Sequence, residues 1–153
     1  MNKIKFNFLL VLSFIVSAAI PNPPDLGVGS YVLYEPNTKK VLVSFNADEP
    51  VQPASLTKLM TSYVVADYIK EDFIRLDDTP KISIKAWKTE GSRMFIREGT
   101  KVAVSDLIKG MIIQSGNDAS VALAEHVAGS EENFAYLMNE YASQLGMQNS
   151  SFN

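Results

Sequence analysis

The stretch PASLTK, residues 53–58, places Ser55 three residues before Lys58 at the start of a helical pattern. Apolar residues recur at helical spacing to about Ile69, which predicts a helix beginning at Ser55. Side chains three residues apart are neighbours on a helix surface. We therefore expect the Lys58 amine to reach Ser55 Oγ without help from the rest of the fold.

This serine–lysine pair has a chemical and a structural interpretation. A serine hydroxyl becomes a good nucleophile once a base removes its proton. Lysine is such a base when burial or nearby cations lower its pKa. The N–H of Ser55 and the helix dipole would help to stabilise an oxyanion. The alternative is that S-x-x-K occurs by chance and Ser55 only caps the helix.

A second motif, Ser115-Gly116-Asn117, lies at the junction of two predicted helices. A serine hydroxyl there can relay a proton between a lysine and a leaving group. The Asn117 amide can both donate to and accept from a peptide-like substrate. We expect Gly116 to let the backbone turn, so that Ser115 and Asn117 face one cleft. The alternative is a helix-breaking turn in which Asn117 caps the following helix.

The composition excludes several classes of function. The 153 residues are the size of one domain, and a net charge of −3 argues against a nucleic-acid partner. The absence of cysteine excludes disulfides and thiolate sites. Because His126 is the single histidine, a His-rich metal site is excluded and a Ser-His-Asp triad is disfavoured. We interpret His126 itself as a structural residue. We predict no metal and no cofactor.

Residues 1–19 have the order of a secretory signal peptide. Lys3 and Lys5 precede an apolar run over residues 6–16, and Ser17-Ala18-Ala19 supplies small residues for cleavage. The run is shorter than the roughly 20 residues of a membrane span. We therefore predict export with cleavage after Ala19; the alternative is an uncleaved N-terminal anchor.

The remaining pattern predicts an α/β (α+β) fold. Residues 30–45 indicate a β-hairpin with its turn at PNTK, residues 36–39. KISIK and RMFIRE are interpreted as short strands. Three helices are expected in VSDLIKGMIIQSG with Ser105 as N-cap, in NDASVALAEHVAG up to Gly129, and in SEENFAYLMNEYASQLG closed by Gly146.

Together the two motifs and their surroundings resemble the serine-type D-alanyl-D-alanine carboxypeptidases (peptidase S11-like), the low-molecular-mass penicillin-binding proteins. PASLTKLMTSYVV carries S-x-x-K, and the sequence from Met94 to Phe152 carries S-G-N. The resemblance runs from about Asp25 to Asn153. It implies a β-lactamase/transpeptidase-like fold, of which residues 20–153 would supply the hairpin, the nucleophile helix and part of the helical subdomain.

The resemblance also implies a mechanism and a location. Ser55 would attack the terminal D-Ala-D-Ala bond of a peptidoglycan stem peptide, with Lys58 as its base. Ser115 would pass a proton to the departing D-alanine, and Asn117 would hold the substrate amide. β-Lactams would acylate Ser55 as inhibitors. The implied site is the bacterial periplasm or outer face of the cytoplasmic membrane, with membrane association only through a C-terminal anchor.

One element of the family signature, K-T-G, does not occur in these 153 residues. We therefore expect the chain to be the N-terminal part of such an enzyme, without the later sheet strands, and to be inactive by itself. Two other interpretations are a non-catalytic remnant that binds peptidoglycan or a partner chain, and a serine β-lactamase. The latter is disfavoured because S-G-N stands where S-D-N is expected.

Overall fold

The structure, a computed structural model, describes residues 24–153. The predicted signal peptide lies outside the described residues. The chain divides into two compact units between Val51 and Gln52. Among the described residues, the first contains a β-hairpin and the second contains the helices, and we call them the hairpin unit and the helical unit.

The hairpin unit confirms the predicted turn between two strands. Strand β1, Tyr31–Glu35, pairs antiparallel with β2, Lys40–Phe45, with one irregularity between Leu33 and Tyr34. The Glu35 carboxylate accepts hydrogen bonds from the backbone N–H groups of Asn37, at 3.0 Å, and Thr38, at 2.6 Å. The turn residues therefore close the hairpin through their own polar groups.

The helical unit begins with a single 3₁₀ turn, Ala54–Leu56, that leads directly into the first α-helix. Five α-helices follow in chain order: α1 Thr57–Lys70, α2 Ile84–Lys88, α3 Val104–Ile113, α4 Asn117–Ala128 and α5 Glu131–Gln144. Helix α4 packs against each of the other four. Its alanines allow this close approach, and Ala119, Ala122 and Ala124 are buried together with Leu123.

The core is formed by apolar side chains of all five helices and the loops between them. Its largest fully buried apolar side chains are Ile82, Leu107, Met111, Leu123, Val64, Val65 and Val104. The helical periodicity that predicted α1, α3, α4 and α5 reflects this shared core. The core therefore fixes α1 and α4, the two helices that begin beside the sequence motifs.

The predicted ends of two helices are confirmed and one predicted cap is wrong. Gly129 follows α4 with φ 80°, and Gly146 follows α5 with φ 76°, in the left-handed region that favours glycine. Ser105, in contrast, lies inside α3, whose N-cap is Ala103. The backbone N–H groups of Val104 and Ser105 donate to the carbonyls of Asp78 and Leu76, so no side-chain cap is needed.

The strand interpretation of KISIK and RMFIRE is wrong. Ser83 caps α2 by accepting from the Ala86 N–H at 2.9 Å, which turns the second half of KISIK into a helix. Lys81 retains one isolated bridge to Lys101. In RMFIRE, two backbone N–H groups donate to a buried carboxylate instead of to a neighbouring strand.

Candidate active site

Ser55 lies on the 3₁₀ turn just before α1, and Lys58 lies in the first turn of the helix. The predicted helix therefore starts at Thr57 and not at Ser55. The two side chains nevertheless meet, because Lys58 Nζ is 3.4 Å from Ser55 Oγ. Ala54, immediately before the serine, has φ 47°, a strained conformation for a residue with a side chain.

The second motif meets the first through three hydrogen bonds. Ser115 Oγ donates to Ser55 Oγ at 2.8 Å. Lys58 Nζ donates to Ser115 Oγ at 3.3 Å and to Asn117 Oδ1 at 2.7 Å. The structure thus brings together all four residues that the sequence singled out. The alternative in which Asn117 caps α4 is wrong, since the N-cap is Gly116 and the Asn117 side chain faces Lys58.

Gly116 contributes in a different way from the one expected. Its φ is −63°, so the left-handed residue of the turn is Ser115, with φ 53°. A Cβ on Gly116 would stand 3.1 Å from the Gly110 carbonyl oxygen and 3.2 Å from the Met94 backbone nitrogen. Glycine is therefore required here for close packing, while Ser115 carries the backbone strain.

The environment of Lys58 makes its amine easier to deprotonate than a lysine in water. Partial burial lowers the pKa of the Lys58 amine below 10.5, because the charged form loses solvation. In the part of the chain that the structure describes, Lys58 takes part in no ion pair that would oppose this shift. The direction of the shift is the one that a lysine general base needs.

Sequence reasoning missed the segment that holds Asn117. Its Nδ2 donates to the Glu90 carbonyl at 2.8 Å, and its backbone N–H donates to the Ser92 carbonyl at 2.7 Å. Asp118, 1% exposed, accepts from the backbone N–H groups of Met94 and Ile96. Every residue has a backbone carbonyl, so the sequence does not show which carbonyls will bind Asn117. The signal that was available is the aspartate directly after S-G-N.

Among residues 24–153, no group of three or more His, Cys, Asp or Glu side chains is arranged to hold a metal ion. Within the same range, no helix has both the length and the apolar character needed to span a membrane. The functional groups that meet at the site are two hydroxyls, an amine and an amide.

Comparison with known proteins identifies the lineage. A family model described as D-alanyl-D-alanine carboxypeptidase, peptidase S11, matches residues 17–153. The chain belongs to this family. The resemblance drawn from the two motifs is thereby confirmed, and a β-lactamase assignment is set aside.

Individual relatives agree with this assignment. The D-alanyl-D-alanine carboxypeptidase DacC of Escherichia coli K12 is 44% identical over 153 residues, covering 96% of this chain. The solved structure of penicillin binding protein 5 from Haemophilus influenzae superposes with a TM-score of 0.83 at 43% identity, over 87% of this chain. The predicted transpeptidase-like fold class is confirmed.

A more distant solved structure adds a ligand-bound relative. Penicillin-binding protein D2 from Listeria monocytogenes, in its ampicillin-bound form, has a TM-score of 0.74 at 25% identity and covers 87% of this chain. The chain spans 38% of the length of DacC and 40% of the solved Haemophilus chain.

Proposed function

We propose that this chain carries the nucleophile and proton-transfer residues of a serine-type D-Ala-D-Ala carboxypeptidase. The substrate would be a peptidoglycan stem peptide that ends in D-Ala-D-Ala. One observation carries the proposal: Ser55, Lys58, Ser115 and Asn117 form one connected set of hydrogen bonds. Membership of a family described by this activity supports it.

In the acylation step, Ser55 Oγ attacks the carbonyl carbon of the terminal peptide bond. Neutral Lys58 takes the hydroxyl proton, either directly or through Ser115, whose Oγ is 2.8 Å from Ser55 Oγ. The bond to D-alanine breaks, and Ser115 delivers the proton to the departing amine. The product is an ester between Ser55 and the shortened peptide, which water hydrolyses.

Asn117 holds the substrate amide in this mechanism and also keeps Lys58 in place. Its Oδ1 accepts from Lys58 Nζ at 2.7 Å, the shortest bond that the amine makes in the site. A base must lie within hydrogen-bond reach of the proton that it removes, and this contact keeps the amine between the two serines.

We also propose that β-lactams acylate Ser55, because the Listeria relative is described in an ampicillin-bound form. Export to the bacterial periplasm or the outer face of the cytoplasmic membrane is a further proposal, supported by the order of residues in positions 1–19. N-terminal sequencing of exported protein should begin at or near Ile20. Retention of Met1 on envelope-located protein would contradict it.

The central test uses a hybrid enzyme, since the chain spans 38% of DacC. In the hybrid, residues 24–153 replace the aligned segment of DacC. We expect it to release D-alanine from diacetyl-Lys-D-Ala-D-Ala and to form a covalent adduct with a fluorescent penicillin. Ser55→Ala should abolish both reactions, while Ser62→Ala, at a serine within α1 outside the hydrogen-bonded set, should retain them.

Mass spectrometry of the penicillin adduct then identifies the acylated residue. An adduct on the peptide that contains Ser55 is the expected result. A folded hybrid that binds no penicillin, or one that is labelled equally well after Ser55→Ala, would refute the proposed nucleophile.

A further inference from the structure

Residues 90–96, which we call the strap, lie against the beginning of α4 and are fastened to it by four hydrogen bonds. Two are made by Asn117, to the carbonyls of Glu90 and Ser92, at 2.8 and 2.7 Å. Two are made by Asp118, from the backbone N–H groups of Met94 and Ile96, at 3.0 and 3.2 Å. The strap therefore holds the site residue Asn117 from one side. The strap is in turn held by Asp118, the residue after Asn117.

The glycine of the strap is shaped to the Asn117 side chain. Gly91 has φ +88°, and a Cβ built on it would stand 2.7 Å from Asn117 Nδ2. A side chain at this position would push the amide away from the strap. Gly129 has a similar φ of +80°, but nothing lies within 4 Å of the Cβ that it lacks. The backbone demand is thus the same at both glycines, and only Gly91 is also limited by a site residue.

The strap decides which way the Asn117 amide faces. Because Nδ2 donates to the Glu90 carbonyl, Oδ1 is left to accept from Lys58 Nζ at 2.7 Å. A reversed amide would place its oxygen against a carbonyl and its NH₂ group against an amine that donates. The bond to Glu90 would then be lost, since a carbonyl oxygen does not donate, and Lys58 Nζ would lose the acceptor that it has in Oδ1.

Asp118 is the clamp that keeps the strap at this distance. It is 1% exposed, and its carboxylate also accepts from its own helix, from the Ala119 N–H at 2.9 Å. A buried carboxylate is tolerated where such donors satisfy it. Oδ1 accepts from both the strap and α4, and Oδ2 accepts from Ile96 of the strap, so the carboxyl group joins the two segments that meet at Asn117.

We propose that the strap is a positioning device for Asn117, with Gly91 setting the approach of the Glu90 carbonyl and Asp118 acting as the clamp. Neither residue needs to touch the substrate, so both are positioning residues. The kinetic consequence rests on the function proposed above, whereas the orientation of the amide does not.

The first experiment measures the amide itself in the full 153-residue chain. The side-chain NH₂ signals of Asn117 are assigned in ¹⁵N spectra by their loss in Asn117→Asp. We expect Gly91→Ala to shift these signals and to speed their exchange with water at least about tenfold, because the bond to Glu90 is broken. The matched control, Gly129→Ala, introduces the same backbone strain and should leave both quantities unchanged.

The second experiment measures acylation by a fluorescent penicillin in the hybrid enzyme. We expect Gly91→Ala to lower the acylation rate constant at least about tenfold, since displacement of a positioning group near the reaction has such effects. For the D-Ala-D-Ala peptide, kcat should fall more than KM rises. Asp118→Asn keeps the shape but replaces one acceptor oxygen with a donor, and we expect the same pattern at smaller size.

Melting temperatures separate positioning from a loss of folding. A Gly91→Ala protein as stable as Gly129→Ala but slower in acylation supports the proposal. Unchanged Asn117 signals in Gly91→Ala would overturn it, as would shifted signals with an unchanged acylation rate. A parent hybrid that folds but is never acylated would refute the proposed function, while the NMR result would still decide the role of the strap.

Discussion

The helical unit has a buried apolar core, whereas no apolar side chain of residues 24–51 is buried. Val32 and Leu42 in the hairpin are 51% and 58% exposed, while Leu107 and Leu123 in the helical unit are 0% exposed. The hairpin is closed by its strand pairing and by the bonds of Glu35 to the turn. The helical unit is held by a shared core, in which α4 contacts every other helix.

The candidate site lies wholly in the unit that has the core. Ser55 and Lys58 stand at the beginning of α1, and Ser115 and Asn117 at the beginning of α4. A hydrogen-bonded set survives only if its helices keep their relative positions, and close packing provides this. Local bonds are thus enough to form the hairpin turn, whereas the candidate site depends on packing between segments that are distant in the chain.

The largest expected effect is on chemistry in the helical unit. Lys58→Met in the hybrid enzyme should lower penicillin acylation by roughly 10²–10⁴-fold, because the proposed general base is lost. Lys40→Met makes the same change in the hairpin unit and should retain acylation. Stopped-flow fluorescence with a labelled penicillin measures the acylation rates of both variants. Equal rates in the two variants would contradict the assignment of the chemistry to the helical unit.

The same residue gives a pH dependence with a definite sign. Burial lowers the pKa of Lys58, so the folded chain loses this proton at lower pH than the unfolded chain, whose value is near 10.5. Acylation should rise with pH through the folded pKa, as the neutral amine forms. The contribution of this group to the free energy of unfolding should also rise with pH between those two values. Titration of the ¹³C-labelled lysine side chain checks the direction.

The next largest effect is on the stability of the core. Leu107→Ala should lower the free energy of unfolding by about 2–5 kcal/mol, since it removes a fully buried side chain and leaves a cavity. Leu42→Ala, at a position 58% exposed in the hairpin unit, should change it by less than about 0.5 kcal/mol. Urea unfolding of the 153-residue chain measures both. Similar losses would mean that the hairpin shares in the stabilising core.

A smaller effect is expected at a helix end. The Ser130 side chain accepts from the Asn133 N–H at 3.1 Å at the start of α5. Ser130→Ala should therefore lower the free energy of unfolding by about 1 kcal/mol. Ser105→Ala is the control, because Ser105 lies inside α3 and is not its cap. A loss at Ser105 as large as that at Ser130 would contradict the assignment of the caps.

The smallest effect belongs to the hairpin turn. Hydrogen bonds from Thr38 and Asn37 lower the pKa of Glu35 to about 2. The support that this carboxylate gives to the turn should be complete above its unfolded value, near 4.5, and lost as pH falls through about 2. NMR titration of Glu35 should show a midpoint well below 4.5, and Thr38→Ala should raise it. A midpoint at 4.5 in the parent chain would show that the turn bonds do not persist.

Local patterns predicted the hairpin, the main helices and two of their glycine ends, because turn residues and helical periodicity act over a few neighbouring positions. They failed at KISIK and RMFIRE, whose apolar residues do not show whether a strand partner exists. Ser83 and Asp118 supplied other partners for those backbone groups, the second from far along the chain. Ser105 failed as a cap for the same reason, since loop carbonyls took its place.

The sequence by itself singled out the four candidate site residues and indicated the family, because S-x-x-K and S-G-N are each contained in a short local segment. Only the tertiary structure decided that the two motifs meet, that Ser115 and not Gly116 carries the left-handed turn, and that a strap holds Asn117. The physical reason is distance along the chain. Contacts between α1, α4 and residues 90–96 arise from burial of the shared core and from backbone carbonyls that every residue possesses.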